Sequence, residues 1–380
     1  MPGVFESVGK GAAGPSGLTV KWWRKEMDIS FIIPVYNGEE SMERCLQSIC
    51  RWDWKADIEI VVVDDGSTDG TALLCQNYAA SDHRIRIFPI ENSGQSIARN
   101  YGMKQCCGTY LCFVDADDKI HPEEMFHMWE IAKREKADVV MGAYFRVNGT
   151  QKERIHLAGE GLMARNGNPK EEALYHQVMA ENAFGYVWNK LYRKAFLDRN
   201  HLQMDDIRKI YMEDQLFNLK VWSKHPIWYC YDRPVYDYET QNVSTTRKAE
   251  PMIHAKNIAM IHSLISYYEE NHILEENLDV LVPLIMRTFC WSLVKNIRYE
   301  GMHTANIRQR ARAYMCSESI QRVIRMKGAV GKLWKLPSLL QTLFYSACLV
   351  LIRWRWSGFV TLLFDFTYPV MHKYIVNVVK

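Results

Sequence analysis

In the first half of the chain, apolar residues come in short continuous runs, each closed by polar or acidic residues. Ile29 to Val35 is too continuous for a half-exposed strand and predicts a buried one. Ile58 to Val63, rich in β-branched residues, predicts a second, ending on Asp64-Asp65. Tyr110 to Val114 predicts another, ending on "DADD", with shorter strands at 85–88 and 137–141. Between them the apolar spacing turns helical. Met42, Cys45, Leu46 and Ile49 share one face of a helix over 41–51, and further helices are expected at 71–80, 96–107 and 122–136. This alternation predicts right-handed crossovers and a mainly parallel, doubly wound α/β sheet. Ligands of such sheets bind beyond the carboxyl ends of the strands, so the polar strand ends should share one rim.

After Thr150 the alternation fades, and from Pro251 to about Ser319 the pattern is helical. From Gln321 onward nine Lys and Arg face a single acid, Asp365. Within this stretch Leu336 to Ile352 is an uncharged run of 17 residues, at the lower limit for a membrane span. Leu336, Leu339, Leu340, Leu343, Phe344, Ala347 and Leu351 recur at helical spacing, with Ser338, Gln341, Thr342 and Ser346 on the other side. "RWRW" at 353–356 adds cations and interfacial aromatics. This tail predicts an amphipathic helix lying in an anionic membrane surface. The competing readings are a helix packed on the domain, or a contact between copies in a homo-oligomer. The expected organisation is a disordered or artificial leader at 1–26 with no signal-peptide core, a catalytic unit at 27–245, a helical region at 246–330 and the tail at 331–380.

A net charge of +3 gives no case for nucleic acid. Ten cysteines lie in apolar contexts without zinc-like spacing, which predicts reduced, buried thiols. The strand ends place Asp64, Asp65, Asp69, Asp115, Asp117 and Asp118 on the shared rim. Gathered carboxylates repel unless a cation or hydrogen-bond donors compensate. Mg²⁺ or Mn²⁺ takes few protein carboxylates and completes its shell with water and phosphate oxygens. Neither GxxxxGK[ST] nor GxGxxG is present after the first strand, so diphosphate chemistry would run through a metal.

"ISFIIPVYNGEE", "EIVVVDDGSTDGT", "ENSGQSIARNYGM" and "YLCFVDADD" resemble, in order and spacing, the family 2 glycosyltransferases. The resemblance covers about Asp28 to Tyr238, and its later motifs are similar to those of bacterial enzymes building capsule, exopolysaccharide, lipopolysaccharide or teichoic-type chains. It implies a GT-A, Rossmann-like fold and a donor pocket in which Pro34, Val35 and Tyr36 lie along nucleobase and ribose, close to Glu39. Asp64 or Asp65 would bond the base, and Asp115, with Ala116 beside it, would contact the ribose side. Asp117 would bind the metal. Arg99 would reach the base or diphosphate, or else pair structurally with the acidic rim, and Gly94 would shape a turn near the donor.

In "YMEDQLF" the resemblance makes Asp214 the general base, while an acidic pair at a helix start is the plain reading of Glu213-Asp214. Trp188, Asn189, Lys190 and Glu213 would shape the acceptor side, although Trp188 also suits a core. Tyr238 with Ser244 and Thr245 would close over the diphosphate, whereas His121 reads as a helix-start residue. The processive QxxRW motif is missing, which argues against polymer extrusion. The implied activity is inverting, hexosyltransferase-type transfer from a nucleotide-sugar donor, UDP favoured, to a glycan or lipid-linked glycan. The implied place is the cytoplasmic face of the plasma (inner) membrane. A nucleotidyltransferase would need a basic, Gly-rich loop where "PVYNGEE" stands, and a catalytically silent nucleotide-sugar-binding or scaffold subunit is the alternative.

Overall fold

A computed structural model describes residues 27–157, 159–164, 182–240, 250–295, 304–336 and 338–364 of the chain. The leader 1–26, Ser244, Thr245 and residues 365–380 of the tail lie outside the described residues. Strands β1 (Met27–Val35), β2 (Ile58–Asp64), β3 (Ile85–Pro89) and β4 (Gly108–Phe113) pair in parallel in the order β3-β2-β1-β4. Every residue of β2 is buried, as a strand covered on both faces requires. Helices α1 (Met42–Cys50), α2 (Thr71–Ser81), α3 (Gln95–Gln105) and α4 (Pro122–Glu135) supply the crossovers and the covering layers. The register sets Val35 against Asp64, and Asp64 against Pro89, so these strands finish on one rim.

Beyond β4 the parallel expectation is corrected to a mixed sheet. β5 (Lys119–Ile120) is a two-residue edge, and β6 (Val139–Asn148) continues the predicted 137–141 strand to ten residues. β7 (Gln151–Ile155) pairs antiparallel with β6, β8 (Gly161–Ala164) lies off the main order, and β9 (Lys190–Arg193) runs antiparallel between β4 and β6. β10 (Trp228–Glu239) then pairs in parallel with β6. "KLYR" is too short and too polar for a periodicity signal; its pairing with two buried neighbours makes it a strand.

α5 (Lys194–Arg199) and α6 (Glu213–Trp222) close this unit. A helical layer follows: α7 (Ile253–Glu270), α8 (Leu278–Val294), α9 (Thr304–Cys316), α10 (Glu318–Arg325), α11 (Ala329–Lys332) and α12 (Leu339–Arg353). α8 is apolar nearly all round and sits in the middle of the layer, packed by α7, α9, α11 and α12.

The apolar face assigned to the tail helix from its spacing is also corrected. α12 buries Thr342, Phe344, Tyr345, Cys348, Leu349 and Ile352 against the layer, while Leu339, Leu340 and Leu343 point outward. Thr342 tolerates burial because its hydroxyl donates to the Leu333 and Ser338 carbonyls. No described helix is long and apolar enough to cross a membrane.

Candidate active site

The turn after β1 is bonded to the turn after β2. Asn37, at φ 50, receives the Thr68 amide on its side-chain oxygen at 2.8 Å and donates its own amide to the Ser67 hydroxyl. The Gly38 amide donates to Thr71 Oγ1 at 2.8 Å, and Glu39 accepts the Gly70 amide at 2.9 Å. Glu39 is thereby occupied at the start of α2, where a carboxylate suits exposed helix amides. Pro34 and Val35 are buried at the strand end, and Tyr36 leaves its ring about half exposed at 52%.

Asp64 and Asp65 are buried and hold turns. Asp64 Oδ1 accepts the Ser67 amide, and the two oxygens of Asp65 accept the amides of Ser93 at 2.7 Å and Gly94 at 2.9 Å. Gly66 at φ 76 and Gly94 at φ 92 adopt backbone that side chains disfavour, which lets the two turns approach each other. A Cβ on Gly66 would stand 2.9 Å from the Asn92 amide nitrogen.

The turn after β4 carries Asp115, Ala116, Asp117 and Asp118, with the first three half-buried. The Asp115 amide donates to the Tyr236 hydroxyl at 2.9 Å, and Asp115 Oδ1 accepts Gln95 Nε2 at 3.0 Å. Burial, then the charges of Asp115 and Asp117, push Asp118 well above the usual carboxylate range. One of its oxygens accepts the Glu239 amide at 2.7 Å, and the other is buried without a partner.

Arg99, from α3 and 1% exposed, joins this turn to the acidic pair of α6. Its Nη2 lies 2.7 Å from Asp115 Oδ1, and its Nη1 2.6 Å from Asp214 Oδ1 and 3.5 Å from Glu213 Oε1. Met212, in the left-handed region at φ 63, turns the chain so that Glu213 and Asp214 open α6 facing inward. Burial, then the Asp214 charge, lifts Glu213 to about 8, with Arg99 opposing. Burial also raises Asp214, against the pull of Arg99 and a hydrogen bond from Glu213. Two adjacent carboxyls are thus separated: Glu213 keeps its proton and Asp214 gives its up first.

Behind this pair Trp188 stacks at 4.6 Å on Tyr186, 4.3 Å on Tyr236 and 5.4 Å on Tyr238. Asn189 and Lys190 are fully buried and bond backbone carbonyls of the 183–186 turn, Asn189 also that of Gly142. They hold the 183–186 turn, which carries Tyr186 into the aromatic stack. His121 precedes Pro122 at the start of α4, and its Nε2 lies 2.7 Å from Asp237. The sequence reading missed Gln95 and Tyr236, which hold Asp115. The signals were present: Gln95 opens α3 beside Gly94, and Tyr236 shares a strand face with Tyr238.

The acidic turn fits a divalent ion only in one manner. Among the described residues no three His, Cys, Asp or Glu side chains form a metal cage. Asp115 is engaged by Arg99 and Gln95, and one oxygen of buried Asp118 by the Glu239 amide. With Asp117, the residue the resemblance assigns to the metal, as one protein ligand, Mg²⁺ or Mn²⁺ would take most of its shell from diphosphate oxygens and water, which is how such ions usually bind.

A parallel β3-β2-β1-β4 sheet with an acidic turn after β4 and antiparallel β9 beside it defines a GT-A transferase fold. The same fold is seen in crystal structures of Staphylococcus aureus TarS residues 1–349. The TM-score is 0.67 for the complex with UDP, at 19% identity and covering 90% of this chain and 91% of that one. It is 0.66 for the complex with UDP-GlcNAc. Residues 30–200 match glycosyl transferase family 2. The chain is 32% identical over 257 residues to glycosyltransferase GlyA of Streptococcus pneumoniae serotype 4, covering 66% of this chain and 36% of GlyA. It is 29% identical over 274 residues to the uncharacterized glycosyltransferase EpsJ of Bacillus subtilis, covering 70% of this chain and 78% of EpsJ. The chain belongs to glycosyltransferase family 2.

Proposed function

We propose that the protein transfers a hexosyl unit, with inversion, from a UDP-sugar to a hydroxyl of a glycan or lipid-linked glycan. TarS crystallised with UDP and with UDP-GlcNAc supports the donor class. Relatives described as poly(ribitol-phosphate) glycosyltransferases support a polymeric or carrier-borne acceptor. The observation that carries the proposal is Arg99, which spans the donor turn and the base with bonds of 2.7 Å to Asp115 and 2.6 Å to Asp214.

Asp214 takes the proton of the acceptor hydroxyl as its oxygen bonds to the anomeric carbon. On the opposite face the bond from that carbon to the diphosphate oxygen breaks, and the electron pair leaves with the diphosphate. One displacement therefore inverts the centre. Burial raises the basicity of Asp214, while Arg99 keeps it ionised and in place. Protonated Glu213 spares the site a second charge. Pro34, Val35 and Tyr36 border the base and ribose, and the turns held by Asp64 and Asp65 fix the floor beneath them. A divalent ion at Asp117, when bound, stabilises charge on the leaving diphosphate. Incubation with a panel of nucleotide sugars, Mn²⁺ or Mg²⁺ and glycan acceptors, followed by mass spectrometry, tests the proposal. A glycosylated product lost in Asp117→Ala is expected. Full turnover by Asp117→Ala, or no binding of any nucleotide sugar, refutes it.

A further inference from the structure

α12 has two apolar faces, and among the described residues only one is covered. Phe344, Tyr345, Cys348, Leu349 and Ile352 pack on the helical layer. Leu339, Leu340, Leu343 and Val350, on the outer side, are 65, 58, 52 and 42% exposed. The chain turns at Arg355, φ 59, and residues 357–364 return as helix. Ser346, Ala347, Val350 and Leu351 then face Phe359 and Leu362 across a groove of about 600 Å³. Trp334, Trp354 and Trp356 are each more than half exposed beside it. Of the twelve large hydrophobics exposed among the described residues, nine lie between Trp334 and Leu362. That concentration makes a patch rather than the scattered exposure ordinary surfaces show.

The charge along this segment has one sign. From Gln321 to Phe364 the chain carries seven Lys or Arg and no acid. Arg322 pairs with Glu269, whereas Lys327 is exposed and Arg355 is exposed between Trp354 and Trp356. A pair of copies meeting through this face would bring like charges together without an acid from the segment to offset them. An anionic bilayer offers both missing partners, acyl chains for the leucines and phosphates for the cations.

We propose that the outer face of α12 and the 357–364 helix dock in the plane of an anionic bilayer, with the leucines among acyl chains and the tryptophans at headgroup level. At 15 residues α12 is about 22 Å long by its rise, short of the roughly 30 Å hydrocarbon core, so it lies in the surface rather than across it. This docking stands on packing and charge and does not depend on the transfer chemistry.

The test is flotation of the full chain with vesicles of phosphatidylcholine, alone or mixed with phosphatidylglycerol. Flotation with the mixed vesicles is expected, weakened by added salt. Arg353→Gln and Arg355→Gln should each lower the affinity about fivefold. Leu343→Glu combined with Val350→Glu should abolish flotation while the circular-dichroism melt stays that of the parent. Should that pair unfold, Leu340→Gln and Trp356→Gln, both at exposed positions, carry the same reading singly. Three results overturn the docking: no flotation with either vesicle, which leaves the face to the chain's own residues beyond 364; undiminished flotation of the folded variants; or a vesicle-free dimer that Leu343→Glu converts to monomer.

Discussion

Arg99→Met separates two roles for this side chain, an internal tie or a contact to the donor. The guanidinium is 1% exposed, its ion pairs reach Asp115 and Asp214, and Glu213 Oε1 lies 3.5 Å from the same fork. Deleting one member of a buried ion pair costs about 3–5 kcal/mol, because the remaining charge is left without a partner. Here the stranded side chains of Asp115 and Asp214 are 19% and 20% exposed, so water recovers part of the loss. Gln95 also continues to serve Asp115. A loss of about 3 kcal/mol near neutral pH is therefore expected. Without Arg99, Asp214 moves further above its ordinary range in the folded state. A carboxyl raised in the folded state contributes stability that is complete at low pH and lost as pH climbs through the folded value. The deficit of the variant should thus be smaller at about pH 5 than at about pH 8, read by urea unfolding. In the same variant the acid limb of kcat/KM should move to higher pH, and Arg99→Lys should restore only part, since one ammonium cannot replace the two-nitrogen fork. The reasoning fails if Arg99→Met unfolds with the parent at both pH values and loses donor affinity instead.

Two further perturbations probe the pair on α6. Asp214→Asn should lower kcat by about 10²- to 10⁴-fold with the donor Kd unchanged, and unaltered kcat removes Asp214 as the base. Glu213 is lifted to about 8, so its stabilising proton is present at low pH and is lost as pH rises through that value. Glu213→Gln, which cannot ionise, should flatten the fall in melting temperature that the parent shows on the alkaline side; identical profiles refute a protonated Glu213.

How much was legible depended on the range over which each residue's role is decided. β1, β2 and α4 are local, with continuous apolar runs or a one-sided apolar stripe and a proline at the start, and their predicted bounds fall within two residues of the observed ones. β9 is decided by β4 and β6, which lie far away in sequence, and four residues carry no period. The strand ends brought Asp64 and Asp65 to the rim, and the resemblance set Glu39 beside the donor, but both were silent on what those oxygens already hold. Those bonds go to turns brought together by Gly66, Gly94 and Asn37, whose positive φ no pattern of polarity reveals. The tail offered membrane helix and packed helix as rivals. In α12 the apolar arc is wide enough for packing and an uncovered face to coexist, and only the burial of Tyr345 and Ile352 beside exposed Leu343 reveals it.

Lys190 shows how a residue expected near the acceptor can act without touching it. Its ammonium is fully buried, and its three protons meet three acceptors: the Ala183 carbonyl at 2.9 Å, Asn189 Oδ1 at 2.8 Å and the Tyr186 carbonyl. Desolvation still holds its pKa well below the usual lysine value, with Asp214 opposing. Asn218 bonds the carbonyls of Phe184, Gly185 and Tyr186 from the other side, so buried amides and an ammonium fix the turn that presents Tyr186 to Trp188. In Lys190→Met the Ala183 and Tyr186 carbonyls lose a donor, at about 1–3 kcal/mol each for a group left unsatisfied, and the bonds from Asn189 and Asn218 hold the total near the lower figure. A group with a depressed folded pKa destabilises most at low pH, so the loss in Lys190→Met should be smaller in acid and grow as pH rises. Loosening the turn should raise the acceptor KM several-fold while the donor KM stays put, because the donor turns are held by Asp64, Asp65 and Glu39 instead. A variant with an altered donor KM and an unchanged acceptor KM would sink this account and return Lys190 to the nucleotide side.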